Sequence, residues 1–246
     1  ELHDHPEQHR MRLQWLHRLA ESQRIALVLE HFDSDQQPAI DAARREPTSD
    51  LPIAERALRL ARAGRFSFEG WDWKLIGPVV EFAIERDIPL HAANLNSRET
   101  YSIARGQPHA LSGAVPKDWN SQTQSIMSDL IREGHCNLLP EAMIPAMVRA
   151  QRARDARMAN VMLSAFEQTG ASPVLLAGNG HVRRDVGVPL HLRAARPDAR
   201  IISVGLLEAG TSEPADAFDA RWITAAHERP DPCEALRRQF GGKKPS

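Results

Sequence analysis

Short apolar runs alternate with longer segments of helical periodicity along the chain. The runs are rich in branched apolar residues, and their hydrophobicity is nearly continuous rather than alternating. This pattern is typical of strands buried on both faces of a parallel sheet. We therefore predict β-strands over 25–30, 88–92, 173–177, 200–207 and 220–224.

The segments between these runs carry apolar residues at helical spacing. In the first of them, Pro6 suits the first position of a helix, and apolar residues recur every three or four positions after it. Gly64, Gly134 and Gly170 stand where helices are expected to end. Helices are predicted over 6–22, 51–63, 73–87, 119–133 and 140–169.

This alternation of strands and helices predicts an α/β fold with a mostly parallel central sheet flanked by helices. One long helical block departs from the alternation. We interpret it as a helical insertion or lid over about 106–169, entered through a turn-rich connection. We expect a single domain over 1–240 and a disordered tail over 241–246.

The composition is that of a globular protein and argues against two classes of function. The 246 residues are 42% hydrophobic, and 31 basic against 32 acidic side chains give a formal net charge of −1. A nucleic-acid-binding protein needs a basic surplus or a basic face, so this balance argues against one. No apolar run approaches the ~20 residues of a membrane-spanning helix. The chain starts on a glutamate inside a motif, so we expect a trimmed or mature product.

Two cysteines, Cys136 and Cys233, lie 97 positions apart. This spacing is neither a disulfide framework nor a zinc motif, and it leaves the redox compartment open. His135 precedes Cys136 at a predicted helix end, but no oriented base can be argued for thiol catalysis. We interpret Cys136 as a buried structural cysteine.

Candidate chemistry collects at one edge of the predicted sheet. In an open α/β sheet, ligands bind in the crevice beyond the carboxyl ends of the strands. Polar side chains that can bind ligands follow four of the predicted strands at this end. They are Glu30 and His31 after the first strand, Asn94, Asn96 and Arg98 after the second, 178–181 after the third, and Glu208 after the fourth.

The opening segment adds further histidines at this edge if a strand precedes it. His5 and His9 lie four positions apart, a spacing that places two imidazoles on one helical face for metal binding. The alternative is that His5 caps the following helix while His9 is exposed, since helix starts favour polar residues.

The segment Gly178-Asn179-Gly180-His181 has two readings as well. Its glycines let the backbone approach a ligand closely, and His181 then emerges at a helix N-terminus, which favours the neutral imidazole needed for metal or haem ligation. The alternative is a tight turn between a strand and a helix with an incidental histidine. The segment is not a GxGxxG fingerprint, so it does not indicate a dinucleotide site.

An arginine-rich helix over 147–159 is the last candidate element. Its arginines either form a solvated face with intrahelical ion pairs, or Arg154 binds a propionate or carboxylate with its planar guanidinium. The sequence contains no GxSxG, P-loop or HExxH motif, which removes the commonest serine hydrolase, NTPase and zincin interpretations.

In combination and order, several of these segments resemble the ChaN-like haem-binding uptake proteins of the Tiki/erythromycin-esterase-like superfamily. The resemblance covers nearly the whole chain. The segments that carry it are ELHDHPEQHR, IALVLEHFD, HAANLNSR, HCNLLP, QRARDARMA and GNGHVRRDVGVPLHL.

Individual positions of this chain match the motif residues of the family. Glu1 and His3 match the first family motif, and Gly178 with His181 match the second. Glu30 matches the acidic residue that closes the next strand, and Arg154 with Asp155 match the helix motif. The family implies haem as cofactor, carried in some members on a tyrosinate and across a homodimer. It also implies a place in the cell envelope, as a periplasmic protein or a lipid-anchored lipoprotein, and other haem-uptake components as partners.

One departure from the family concerns the iron ligand. Members often carry a tyrosine near the C-terminal Trp-x-Thr segment, whereas this chain has FDARWIT over 218–224. Because Tyr101 is the single tyrosine of the chain, a tyrosinate ligand is either that residue or does not exist. A histidine ligand gains weight accordingly.

Two hypotheses follow for the function. In the first, the protein binds haem for iron uptake, with His181 or Tyr101 as iron ligand, Asn179 at the cofactor and Arg98 and Arg154 at the propionates. In the second, it is a metal-dependent hydrolase. There His3, Glu30 and His181 hold Mn, Co or Zn, and Glu1 is the base that activates its water.

Overall fold

The five predicted strands form two parallel sheets in the computed structural model, which describes residues 1–48, 50–111 and 115–240. Three of them lie in the order β2-β1-β3, and β4 pairs with β5. The predicted α/β fold with parallel strands is confirmed. The strands are β1 (Ile25–Asp33), β2 (Leu90–Asn94), β3 (Ser172–Leu176), β4 (Val204–Glu208) and β5 (Ala220–Thr224).

Helices flank the strands, and each of the five predicted ones is present. Further short helices were not predicted, because their starts read as polar connections. None of the described helices is long and apolar enough to cross a membrane. The helices are α1 (Pro6–Ser22), α2 (Gln37–Arg45), α3 (Ile53–Ala63), α4 (Trp73–Glu85), α5 (Ser97–Ala104), α6 (Ser121–Gly134), α7 (Ile144–Thr169), α8 (Asn179–Val182), α9 (Val188–Ala195) and α10 (Pro232–Phe240).

The central strand β1 is buried on both faces, as its continuous hydrophobicity predicts. Successive side chains of a strand point to opposite faces. Leu27 and Leu29 accordingly join the core formed with α1, α3 and α4, whereas Ala26 and Val28 join the core formed with α7. The sheet is therefore packed between two layers of helices.

The predicted helical insertion has two parts with different roles. Met127 and Ile131 of α6 pack against Ile144 and Val148 at the start of α7, in a cluster of their own. The later part of α7 packs directly on the sheet, where Met158 is fully buried. The second half of the block thus belongs to the main core rather than to a lid.

Some strand boundaries differ from the sequence prediction. The run over 200–207 becomes a strand only from Val204 onward. The tail over 241–246, predicted to be disordered, lies outside the described residues.

Cys136 has a structural role, as interpreted from the sequence, but it is half-buried rather than buried, and it is paired although the spacing indicated no disulfide framework. Cys136 forms a disulfide bond with Cys233, with their Cα atoms 5.8 Å apart. The bond attaches α10 to the turn between α6 and α7. Sequence spacing gives no signal for this pair, because only the fold brings the two positions together.

Reduction of this disulfide is expected to destabilise the protein by about 2–4 kcal/mol, because a cross-link across a long loop restricts the unfolded chain. The measurement is urea unfolding of the wild type with and without dithiothreitol. A Cys136→Ser/Cys233→Ser double variant is the control, since reductant has no cross-link to act on there. An unchanged unfolding midpoint of the wild type in dithiothreitol contradicts the prediction.

Candidate functional site

The carboxyl ends of β1 and β3 meet in a buried polar cluster. The backbone N–H of Gly178, which follows β3, donates to Glu30 Oε2 of β1 over 2.8 Å. In the short helix α8 that follows Gly178, His181 Nε2 lies 3.2 Å from Glu30 Oε1. Parallel strands end on the same side, and this places their following residues together.

His181 is held between two carboxylates. Its Nδ1 contacts Asp155 Oδ1 of α7 at 2.5 Å, on the opposite side of the ring from Glu30. Burial favours the neutral imidazole, but the charges of Glu30 and Asp155 outweigh it and raise the pKa of His181 to about 10. The sequence-based expectation of a neutral imidazole is therefore wrong, because its acidic partners come from distant parts of the chain.

The two carboxylates respond differently to the same cation. Burial raises the pKa of Glu30, but the charge and hydrogen bond of His181, with His3 and His31, together outweigh it and hold the pKa well below its usual value. Burial prevails at Asp155 and raises its pKa to about 6 against the influence of His181. At neutral pH the cluster is an imidazolium between two ionised carboxylates.

A second group of ligand atoms lies beside this ion cluster. Glu1 Oε1 is 3.2 Å from His3 Nδ1 and 3.8 Å from His31 Nε2. Arg12 donates to the other oxygen of Glu1 over 2.6 Å. Burial raises the pKa of Glu1, but Arg12, the neighbouring amino group and the two histidines together outweigh it, and the pKa lies well below its usual value.

This second group is the trio of described residues with the geometry to hold a metal ion. One ligand atom from each of Glu1, His3 and His31 lies within 4.8 Å of the others. The set expected from the sequence was instead His3, Glu30 and His181. In the structure Glu30 and His181 pair with each other, and His3 is grouped instead with His31 and with Glu1, which the sequence suggested as the base.

His31 has unusual surroundings for a buried histidine. Neither of its ring nitrogens has a hydrogen-bond partner, although its side chain is buried. Burial lowers the pKa of His31, which keeps the imidazole neutral, as metal ligation requires. Trp71 packs edge-on against both His31 and His3, with ring centroids 4.6 Å apart in each case. Nothing in the sequence around Trp71 indicated this contact.

His5 and His9 do not form a metal-binding pair. His5 caps α1 by accepting from the Gln8 N–H, and its Nε2 lies 3.0 Å from the Ala225 carbonyl oxygen. His9 is buried rather than exposed, with Nε2 3.0 Å from the His3 carbonyl oxygen. Burial, with the charge of Arg12, lowers the pKa of His9 to about 3. The capping role expected of His5 in the alternative interpretation agrees with the structure, whereas the expected exposure of His9 is wrong.

Asn179 joins the two sheets. Its side-chain amide donates to the Leu206 carbonyl oxygen over 2.6 Å and accepts from the Leu206 N–H over 3.1 Å. Both polar atoms of this side chain are therefore used by β4. The role at a cofactor that the sequence suggested for Asn179 requires these hydrogen bonds to Leu206 to break.

Tyr101 and Arg98 lie on the exposed face of α5. This helix begins just after β2 ends and is closed by a capping box between Asn96 and Glu99. Tyr101 is 62% exposed, and Arg105 donates to its hydroxyl oxygen over 2.7 Å. Arg98, one turn earlier, is exposed on the same helix. A phenol flanked by two guanidinium groups is thus presented at the rim of the carboxyl edge.

The arginine-rich face of α7 is not a solvated face with intrahelical pairs. Arg149 donates to the Ala104 carbonyl oxygen over 2.6 Å, and Arg157 lies 3.5 Å from Glu99. These contacts fasten α7 to α5. The arginines hold the helix that carries Tyr101.

Arg154 is half-buried on the same helix, and its charge acts on Asp33, the last residue of β1. Burial and the charge of Asp35 raise the pKa of Asp33, and Arg154 opposes them. A free propionate or carboxylate at Arg154 would compete with Asp33 for its guanidinium.

The protonation of His181 is expected to persist far above the usual range of a histidine. Its folded-state pKa of about 10 lies above the unfolded value, so its stabilising effect is complete below pH ~6.5 and is lost as the pH rises through about 10. NMR titration of the imidazole Cε1 proton measures this directly.

Asp155→Asn removes one of the two carboxylates and is expected to lower the His181 midpoint, so it serves as the matched variant. Deprotonation of His181 near pH 6.5 in the wild type contradicts the prediction.

Comparison with known proteins shows the family and the fold of the chain. The family described as haem-binding uptake, Tiki superfamily, ChaN matches residues 1–192. No curated protein matches the chain. A solved structure of ChaN of Campylobacter jejuni, described as cofacial heme binding, is 23% identical, with a TM-score of 0.72 over 89% of this chain and 83% of that one. At this identity the likeness shows a shared fold. With the family match covering residues 1–192 of 246, the chain belongs to the haem-binding uptake family ChaN of the Tiki superfamily.

Proposed function

We propose that the protein binds haem in bacterial haem or iron uptake, with the haem on the exposed face of α5. The family and the haem-bound structural neighbour support haem as the ligand. The observation that carries the location is the exposed row of Arg98, Tyr101 and Arg105 at the rim of the carboxyl edge.

Tyr101 is the favoured iron ligand of the two expected from the sequence. A phenolate oxygen binds ferric haem iron, and the hydroxyl of Tyr101 is accessible and already receives a hydrogen bond from Arg105. His181 is buried with a carboxylate at each ring nitrogen. Ligation by His181 requires the loss of a proton and of one of these contacts.

The arginines supply the groups that haem propionates need. Arg98 lies three positions before Tyr101, which places both on one side of α5. Its exposed guanidinium is free of the ion pairs that occupy Arg157. Arg154 is a second candidate, in competition with Asp33. Charge-assisted bonds of this kind orient a haem without reaching its iron.

An exposed ligand also favours a dimer. A haem carried on Tyr101 has its second face open to solvent, and burial of that apolar face against a second copy removes it from water. Cofacial haem binding described for the Campylobacter jejuni protein is consistent with this arrangement. We extend the proposal to a haem-linked homodimer in the cell envelope, in the periplasm or on a lipid anchor, that works with other haem-uptake components.

Haemin titration followed at the Soret band tests the ligand. Tyr101→Phe is expected to weaken haemin binding by about tenfold or more, because one axial bond is lost. Tyr101→His is the matched variant, and it is expected to restore binding with the spectrum of an imidazole ligand. Size-exclusion chromatography with and without haemin tests whether haem binding produces a dimer.

Two results would contradict the assignment. One is a Tyr101→Phe protein with the affinity and spectrum of the wild type. The other is a wild type that shows no saturable Soret shift, which rejects haem binding itself.

A metal-dependent hydrolase is the alternative, and one observation favours it. Glu1, His3 and the unpartnered His31 place three ligand atoms within 4.8 Å of one another at the carboxyl edge. Mn, Co or Zn held there would lower the pKa of a bound water and make it a nucleophile. In this site burial keeps the imidazole of His31 neutral, and Arg12 helps to hold the carboxylate of Glu1 ionised.

Metal analysis of protein purified without haem tests this alternative. It predicts about one Mn, Co or Zn per chain, lost in a His31→Ala variant, since one of three ligands is removed. His17→Ala is the control, because His17 packs against Phe82 away from the trio. A metal content near zero in the wild type rejects the alternative.

A further inference from the structure

A small polar cavity lies near the amino end of β2, away from the polar cluster at the carboxyl ends of the strands. Its volume is about 60 Å³, which is room for roughly two water molecules at ~30 Å³ each. Its polar lining comes from Arg44 of α2, Thr48, Arg56 of α3 and Asp87. The cavity therefore suits a small polar ligand, at a place that the haem proposal does not use.

The first of the two arginines, Arg44, is held in place by contacts with the segment before β2. It donates to the Ile88 carbonyl oxygen over 2.9 Å and lies 3.3 Å from Asp87 Oδ1. A guanidinium carries five N–H donors in a rigid planar fork, so these two contacts leave others for a ligand. Arg44 thus brings a fixed positive charge to the cavity.

The second arginine, Arg56, lacks an acidic partner among the described residues. It is half-buried, and its Nε is buried without a hydrogen-bond partner. By contrast, Arg59 on the same helix pairs with Glu55 at 3.3 Å. A buried donor of a charged group is costly to leave without a partner. An anion in the cavity would supply the partner that Arg56 lacks.

The carboxylate of Asp87 does not neutralise the two arginines. Its side chain is fully exposed, so water screens its attraction to Arg44. Two guanidinium charges from different helices therefore line a cavity with one screened carboxylate at its edge. The cavity retains a positive charge.

Thr48 adds a hydroxyl to the same lining. Its Oγ1 donates to the Glu46 carbonyl oxygen over 3.5 Å, which is long for a hydrogen bond between oxygens. Because a hydroxyl rotates to suit its partner, that of Thr48 can turn to a stronger acceptor in the cavity.

This set of donors distinguishes between two kinds of anion. A planar carboxylate is satisfied by the fork of one guanidinium. A phosphate group presents oxygens on all sides and carries about −1.5 to −2 charges at neutral pH, so it needs cations and donors from several directions. Two arginines on different helices, with a hydroxyl between the helices, match the phosphate.

We propose that this cavity binds a phosphate group, held by the guanidinium groups of Arg44 and Arg56 and by the hydroxyl of Thr48. Free inorganic phosphate and the phosphate of a small ester share this chemistry. The proposal is independent of haem binding, because it uses none of the residues at the carboxyl edge.

Titration followed by two-dimensional ¹H–¹⁵N NMR tests the site. Sodium phosphate and glycerol 3-phosphate are added separately, and sodium chloride at the same ionic strength is the reference. We expect saturable shifts at the amides of Arg44, Thr48 and Arg56 with at least one phosphate compound. The compound that binds more tightly identifies the source of the phosphate group.

Arg56→Gln is expected to weaken phosphate binding about tenfold or more, because a charge-assisted contact is lost. Arg56→Lys keeps the charge and is expected to retain part of the affinity. Arg59→Gln is the matched control, since Arg59 lies on the same helix but outside the cavity.

Asp87→Asn tests the sign of the charge at an exposed position where the fold is not at risk. Removal of this carboxylate is expected to strengthen phosphate binding about twofold or more, since one repulsive charge is lost. The absence of saturable shifts with both phosphate compounds overturns the proposal. Wild-type affinity in Arg56→Gln overturns it too, as does an equal loss in Arg59→Gln or weaker binding in Asp87→Asn.

Discussion

The buried imidazolium of His181 is the interaction on which the carboxyl edge depends. It lies between Glu30 of β1 and Asp155 of α7, and it follows the end of β3, so one charged ring fixes three elements relative to one another. Removal of the His181 imidazolium leaves two buried carboxylates without this partner cation, at a cost of about 3–5 kcal/mol. Glu30 also receives the Gly178 N–H, which ties the backbone to the same charge network.

The polar edge thus contains two environments with different chemical capacity. In the ion cluster every charged group has a partner of opposite charge, which suits the cluster to hold the strand ends in place. Beside it, His31 retains two unpartnered nitrogens, and on the outside Tyr101 presents a phenol to solvent. The same fold therefore offers a ligand set with two buried members and the exposed His3, and a surface ligand, and the haem proposal uses the surface ligand.

Much of the architecture was readable from the sequence, because buried strands and long helices leave strong periodic patterns. The strand at Ala220–Thr224 was placed at its observed bounds, and α1 likewise. The short α5 was missed, since its capping box at Asn96 and Glu99 reads as a polar connection. The sequence also placed candidate site residues at strand ends for the same topological reason. The charge of His181 was not predicted, because Asp155 reaches it from another helix and only the packed structure brings the two residues together.

The disulfide between Cys136 and Cys233 has a topological consequence. The covalent ring that it closes contains α7 and β3, and hence both Asp155 and His181. A single peptide-bond cleavage anywhere inside that ring leaves the two fragments joined through sulfur. A tensile force applied to α10 passes through the same bond to the turn after α6. The residues of the ion cluster on that side are therefore shielded from both mechanical extraction and the dissociation that follows a proteolytic nick.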